Sequence, residues 1–165
     1  MIKRVAVPKD RLPIIIGKSG LVKKEIETKT QTQIEVDEDI TIKGEGVGIL
    51  EAENIVKAIS RGFTPKQAMQ LLEEDRTLYI IQLPKERKSL IRIRARLIGK
   101  NGQAKKNIER LTRSGIAVQG KTVSIIGTYE NAGYAMGAIE RLMRGDRHAT
   151  VYKYLEDLNA RDKID

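Results

Sequence analysis

The feature that most limits what this chain can fold into is that it repeats itself. Setting IIIGKSGLVKKEIETKTQTQIEV (14–36) over RLIGKNGQAKKNIERLTRSGIAV (96–118) brings Gly17 onto Gly99, Lys18 onto Lys100 and Gly20 onto Gly102. Lys23 and Lys24 meet Lys105 and Lys106 in the same alignment, and Ile26, Glu27, Thr30, Ile34 and Val36 meet identical residues. A shift of one residue then lays ITIKG (40–44) on VSIIG (123–127), and Arg61-Gly62 on Arg144-Gly145. A fold built on this sequence must therefore use one supersecondary unit, roughly 70 residues long, twice. We expect the first unit at 1–63, a connecting helix at 64–77, the second unit at 78–148 and a closing helix at 149–165.

Both units spell the same order of elements. An N-terminal segment rich in β-formers (KRVAVP, TLYIIQL) comes first, then a helical stretch running into G-K-x-G, then a second helix. In that helix Ile26 and Ile108 face inward, with Lys23, Lys24, Lys105 and Lys106 on or near the exposed side. Gly115 is placed to stop the second copy of the helix. Strands follow at 33–37 and 40–44, and at 116–119 and 122–126. ILEAENIVKAIS and NAGYAMGAIERLMR close the units as helices. SLIRIRARL alternates apolar and basic residues, which is a strand period, yet Leu90, Ile93 and Leu97 also share one helical face. The repeat and the loop that follows favour a helix. In the connector, Thr64 can cap, Pro65 suits the first turn and Gln67 stands at the capping-box position. Ala68, Leu71 and Leu72 give that segment an apolar face to dock. Thr150 is placed to cap the last helix, with Val151, Leu155 and Leu158 inward.

PIIIGKSG (13–20) invites comparison with a nucleotide-binding P-loop, but the spacing excludes it. Such a loop needs a glycine five residues before its Gly-Lys pair and a hydroxyl after it. Leu12 and Arg94 occupy the first position, and Asn101 replaces the hydroxyl in the second copy. What repeats is G-K-x-G, a pattern that serves either as a tight turn between helices or as a seat for phosphate. Glycines let backbone approach phosphate closely and leave amides exposed at a helix N-terminus, where the dipole favours anions. Lys18 and Lys100 add charge at the loop.

Charge points the same way. The formal net charge is +9, while basic and acidic residues balance over 1–84 and again over 114–165. The whole surplus lies in KERKSLIRIRARLIGKNGQAKKNIERLTR (85–113), where Glu86 and Glu109 are the acids. A one-signed stretch of this kind is an electrostatic footprint for a polyanion. In the first unit Glu35, Asp37, Glu38 and Asp39 would instead repel a phosphate backbone passing the strand side. A 40% hydrophobic fraction suffices for ordinary cores. No run reaches the ~18 apolar residues of a membrane span and no apolar leader opens the chain, so a cytoplasmic protein without membrane contact is expected. With no cysteine and one histidine, no metal site, cofactor or catalytic set stands out, and His148 reads as structural.

The order β-α-GxxG-α-β-β-α resembles the type I KH module, in both units and over nearly their whole length. The resemblance implies an α+β fold, with two three-stranded antiparallel sheets packed by helices, and a groove for about four nucleotides of single-stranded RNA, whose bases would lie on an aliphatic floor such as Ile98, Ile108 and Val118. The position three after the last loop glycine, commonly apolar in KH modules, is Lys23 and Lys105 here. RGFTPKQAMQLLEED, ARLIGKNGQAKKNIERLTRSGIAVQGKTVSIIGTYENAG and VYKYL are more specific. They resemble the Partner-of-Nob-one family of tandem-KH factors in small ribosomal subunit assembly, and the intact Gly17–Gly20 loop fits an archaeal member. That resemblance implies a non-catalytic protein binding near the 3′ end of small-subunit ribosomal RNA and contacting the maturation endonuclease. Carried over by position, Arg92, Arg96, Gly99, Lys100, Gly102, Lys105 and Arg113 would hold RNA. Ile98, Asn101, Lys106 and Arg110 complete the set in the second unit, and Gly17, Lys18, Ser19 and Gly20 form it in the first. The competing readings are a protein-interaction adaptor, built on the charge-balanced first unit, and a KH regulator of other RNAs.

Overall fold

The computed structural model describes residues 1–164, with side chains through 161. The chain divides into two compact units, Met1–Glu74 and Asp75–Asp165. In the first, β1 (Ile2–Val5) leads through a 3-10 turn into the short helix α1 (Leu12–Ile16) and the loop Gly17–Gly20. Helix α2 (Leu21–Thr30), strands β2 (Gln33–Val36) and β3 (Ile40–Lys43) and helix α3 (Gly46–Ser60) follow, then α4 (Pro65–Met69). The sheet is antiparallel in the order β1-β3-β2. Ile15, Ile26, Ile40, Ile42, Ile49, Ile55, Ile59 and Phe63 are fully buried, as period-two strands and 3.6-period helices require when each turns one face inward.

The connector belongs to this unit. Thr64 caps α4 with the reciprocal capping box expected from Gln67, and Ala68 and Leu71 are buried, so the apolar face docks. Leu71 and Leu72 lie beyond α4 in a 3-10 turn.

The second unit repeats the plan with longer elements: β4 (Arg76–Gln82), α5 (Arg87–Ile98), the loop Gly99–Gly102, α6 (Gln103–Thr112), β5 (Gly115–Gln119), β6 (Thr122–Thr128), α7 (Tyr129–Met143) and α8 (His148–Ile164). Its sheet runs β4-β6-β5, again antiparallel. SLIRIRARL is helical: Ile93 and Leu97 reach the core with Leu90 against it, and the alternating arginines fall on the remaining faces. Val151 and Leu155 are buried in that same core and Leu158 packs on it, so α8 completes the unit's interior.

Two expected boundaries move. Gly115 does not end α6; it pairs with Ile126 in β5. The left-handed residue closing the helix is Arg113 (φ 51), with Gln31 (φ 55) in its place in the first unit. The amides that follow, Ser114 and Thr32, donate to the carbonyls of Glu109 and Glu27, and these bonds hold a non-glycine residue in the left-handed cap. Thr150 likewise caps nothing: α8 begins at His148, whose Nε2 donates to the Arg96 carbonyl at 2.8 Å.

Candidate nucleic-acid interface

The two G-K-x-G loops have one geometry. Gly17 (φ 75, ψ 175) and Gly99 (φ 75, ψ 173) end α1 and α5 in a backbone region open essentially to glycine alone. Ser19 (φ 54) and Asn101 (φ 55) are left-handed, as are Gly20 (φ 73) and Gly102 (φ 72). The two glycines of each loop do different work. A Cβ at Gly99 would lie 2.6 Å from Ala104 Cβ, and one at Gly17 would overlap Val22, whereas Gly20 faces open space. Gly102 meets Lys106 Cε alone, at 3.9 Å. The first glycine therefore lets α6 or α2 start hard against the loop, and the last leaves its outer side open for a ligand. No side chain caps α2 or α6; the first amide of each, on Leu21 and Gln103, bonds back to the Lys18 and Lys100 carbonyls, and the helix dipole at this end favours an anion.

Lys23 and Lys105, at the position where KH modules commonly carry an apolar residue, are both held in a relay. Lys105 Nζ lies 3.5 Å from Glu109 Oε1, and Glu109 Oε2 accepts the Ile116 amide at 3.0 Å. In the first unit Lys23, Glu27 and the Ile34 amide repeat it at 3.4 and 2.8 Å. One carboxylate thus ties the helix after the loop to the first residues of the strand beside it. Sequence reasoning missed this role, although the identity of Glu27 and Glu109 at matched positions was its signal.

The structure sorts the expected residues of the second unit into exposed and packed ones, from the loop along α6 to Arg113 at its far end. Lys100, Asn101, Lys106, Arg110, Arg113 and Arg92 are exposed, and Ile98, Lys105 and Val118 are half-buried. Ile108 is not on any groove floor: at 1% exposure it is in the core with Leu97 and Ile125, because the inward face of α6 points at the sheet. Arg96 is tied down. Its Nε and Nη2 donate to the carbonyls of Leu142 (3.0 Å) and Asp146 (2.5 Å) at the end of α7, leaving Nη1 without a bond among the described residues. Arg11 does the same in the first unit, donating to Ile59 and Phe63 at 2.9 and 2.8 Å.

Lys18, Ser19 and Gly20 present a matching loop in the first unit, with the acidic turn Asp37–Asp39 between β2 and β3. Lys43 there pairs with Glu35 at 3.0 Å. Among the described residues no group of His, Cys, Asp or Glu could hold a metal ion, and no helix is long and apolar enough to cross a membrane.

Comparison with known proteins agrees with this geometry. Residues 78–160 match the family described as eukaryotic type KH-domain (KH-domain type I), and residues 2–58 match the KH domain. A KH domain-containing protein of Methanocaldococcus jannaschii is 38% identical over 94% of this chain and 73% of its own length. The pre-rRNA-processing protein pno1 of Aspergillus fumigatus is 32% identical over 68% of this chain and 47% of its own. Among solved structures, Dim2p from Pyrococcus horikoshii superposes with a TM-score of 0.89 at 40% identity, covering 95% of this chain and 99% of that one. A second chain from that organism, in a complex of a/eIF2alpha, aDim2p and rRNA, gives 0.87 at 40% identity, covering 95% and 93%. Two KH units with intact loops, the second matched by its own family signature, place the chain: it belongs to the Partner-of-Nob-one (Dim2) family of tandem-KH proteins.

Proposed function

We propose that this protein is a non-catalytic, RNA-binding assembly factor of the small ribosomal subunit. In this reading it grips ribosomal RNA near its 3′ end with the second unit, in the cytoplasm, without cofactor or metal. One observation carries the reading. The Gly99–Gly102 loop ends on an uncapped helix N-terminus with a ligand-facing glycine, within the stretch that holds all of the net charge. Exposed Lys100, Lys106, Arg110 and Arg113 supply the phosphate contacts, and half-buried Ile98 and Val118 offer the bases an apolar surface. The relatives add the substrate: one is a pre-rRNA-processing protein, and another was solved with rRNA.

The first unit is the candidate for protein contact, the maturation endonuclease or another ribosome-associated protein among its partners. Its loop has the binding geometry, but the turn of Asp37, Glu38 and Asp39 sets negative charge along the strand side, where Glu35 is already paired with Lys43. The test is fluorescence-anisotropy binding of the ribosomal 3′-end strand, against scrambled and duplex controls. Wild type is compared with Lys18→Asp/Ser19→Asp and Lys100→Asp/Asn101→Asp; Asp tolerates the left-handed position, so the loop backbone is kept. With about four phosphates neutralised, the log–log salt slope should be roughly −3. Loss confined to the second variant is the expected result. Equal loss in both would give the first unit an RNA groove as well, and no preference over the scrambled strand would end the ribosomal reading.

A further inference from the structure

We propose that the outer face of the N-terminal half of α5 is a second phosphate-binding surface, one that takes the RNA backbone flanking the nucleotides held in the groove. The inference rests on the second unit being the RNA-binding one. It starts from a length difference between the repeats. Helix α5 has twelve residues where α1 has five, and both end at the same glycine of the loop. The second unit has therefore added about two turns at the N-terminus of this helix. The first unit has only a 3-10 turn there, Lys9-Asp10-Arg11, in which Asp10 offsets Lys9 and Arg11 is committed to backbone carbonyls.

The added turns carry one kind of charge. Lys85, Arg87, Lys88 and Arg92 are exposed, and none of them makes an ion pair among the described residues. Glu86 is the one acid among them and attracts Arg92 through space, but four cations against one carboxylate leave the segment a positive surplus. Glu86 also caps the helix, its two carboxylate oxygens accepting the amides of Lys88 (3.1 Å) and Ser89 (2.8 Å). Lys88, Ile91, Arg92 and Ala95 recur at helical spacing on the side away from buried Ile93 and Leu97, and the next position along that line is Gly99. The stripe thus runs directly into the phosphate-binding loop, and from Lys88 to Gly99 the helix rises about 16 Å. Ile91, 59% exposed in its middle, gives riboses an apolar contact between the cations. Unpaired like charges on adjacent turns repel one another, and a polyanion lying along them relieves that cost. The stripe lies on the outer side of α5, away from the core, so the phosphates it reaches are additional to those over Ile98 and Val118.

The experiment compares wild type with Lys85→Gln/Arg87→Gln/Lys88→Gln, three residues outside the groove set. Probes are a tetranucleotide from the ribosomal 3′ end and the same core extended by four uridines on its 5′ or its 3′ side. Amide-shift titration follows the short strand, anisotropy the long ones, and circular dichroism checks that α5 stays folded. Wild type should gain affinity with the extension on one side, and its salt slope should steepen by about 2, at ~0.7 per phosphate for three contacts. The variant should bind the tetranucleotide within about twofold of wild type but show at most a tenth of that gain. A variant that gains as much as wild type, or a wild type that gains nothing from either extension, overturns the proposal; in the first case the stripe serves another polyanion, such as an acidic protein. Failure of the groove reading looks different: the tetranucleotide would then be indifferent to Lys100→Asp/Asn101→Asp.

Discussion

Replacing Gly99 or Gly102 with alanine makes the same chemical change three residues apart in one loop, yet the structure assigns the two changes different costs. At Gly102 (φ 72, ψ 13) alanine must adopt the left-handed conformation, at about 1–2 kcal/mol. Its methyl meets no atom closer than Lys106 Cε at 3.9 Å. The loss of glycine freedom in the unfolded chain returns ~0.4–1 kcal/mol, so the net cost is about 1 kcal/mol. At Gly99 (φ 75, ψ 173) the backbone lies where side chains essentially never go, which adds about 1–3 kcal/mol. The methyl would also sit 2.6 Å from Ala104 Cβ and 2.7 Å from its amide nitrogen, an overpacking of about 1–3 kcal/mol. With the same ~0.4–1 kcal/mol returned by the unfolded chain, Gly99→Ala should cost ~3 kcal/mol. Native-state hydrogen exchange of the β5 and β6 amides reads the second unit by itself, which a global melt of a two-unit chain does not. The difference of ~2 kcal/mol should accelerate exchange in Gly99→Ala by roughly thirtyfold over Gly102→Ala. The RNA effect should be reversed per folded molecule, since the added methyl of Gly102→Ala occupies the open side offered to phosphate. Equal destabilisation by the two substitutions would refute the division of labour between the glycines.

Two further outcomes follow from named contacts. The Ser89 hydroxyl and amide and the Lys88 amide hold the Glu86 carboxyl below its ordinary range. A depressed folded-state value contributes stability that is full above the ordinary carboxylate range and is lost as pH falls through the lowered one. The helicity of α5 should accordingly decline on acidification below the usual glutamate range, and Glu86→Gln should remove that dependence while leaving neutral-pH binding of a tetranucleotide unchanged; α5 amide and Cα chemical shifts against pH measure the first, and an amide-shift titration the second. Arg96→Ala should destabilise the second unit by about 2 kcal/mol, through loss of two charge-assisted bonds to the end of α7. Arg96→Lys should recover only part of this, because an ammonium cannot span the Leu142 and Asp146 carbonyls as the guanidinium does; exchange at α7 amides reports the difference.

What could be read from the sequence and what could not divide along a physical line. The repeat, the helical α5 and the inward face of α8 were legible because each is a local period or a local backbone need, and a glycine in a Gly-only conformation leaves the same mark wherever it occurs. Gly115 misled because helix termination is not a property of one residue. Amides two positions past α6 and α2 close back on Glu109 and Glu27, and that closure holds arginine or glutamine in a conformation usually left to glycine. Ile108 misled because a helix beside a groove has one apolar face, and the sheet took it. Arg96 shows the limit most clearly. It reaches carbonyls 46 and 50 residues away, a relation that no spacing rule carries. Arg11 reaches the matching carbonyls of the first unit, Ile59 and Phe63, although Arg11 and Arg96 do not align when the loops are superposed. What the two units share at that place is the requirement to anchor the end of the long helix, and each meets it with an arginine from a different turn. The Lys-Glu relay is the opposite case, with the same residues at the same positions making the same bonds. Residue identity between the copies therefore marks what the loop and its neighbouring strand need in order to hold one geometry. The cationic turns of α5, which have no counterpart in the first unit, mark where the second copy acquired chemistry of its own.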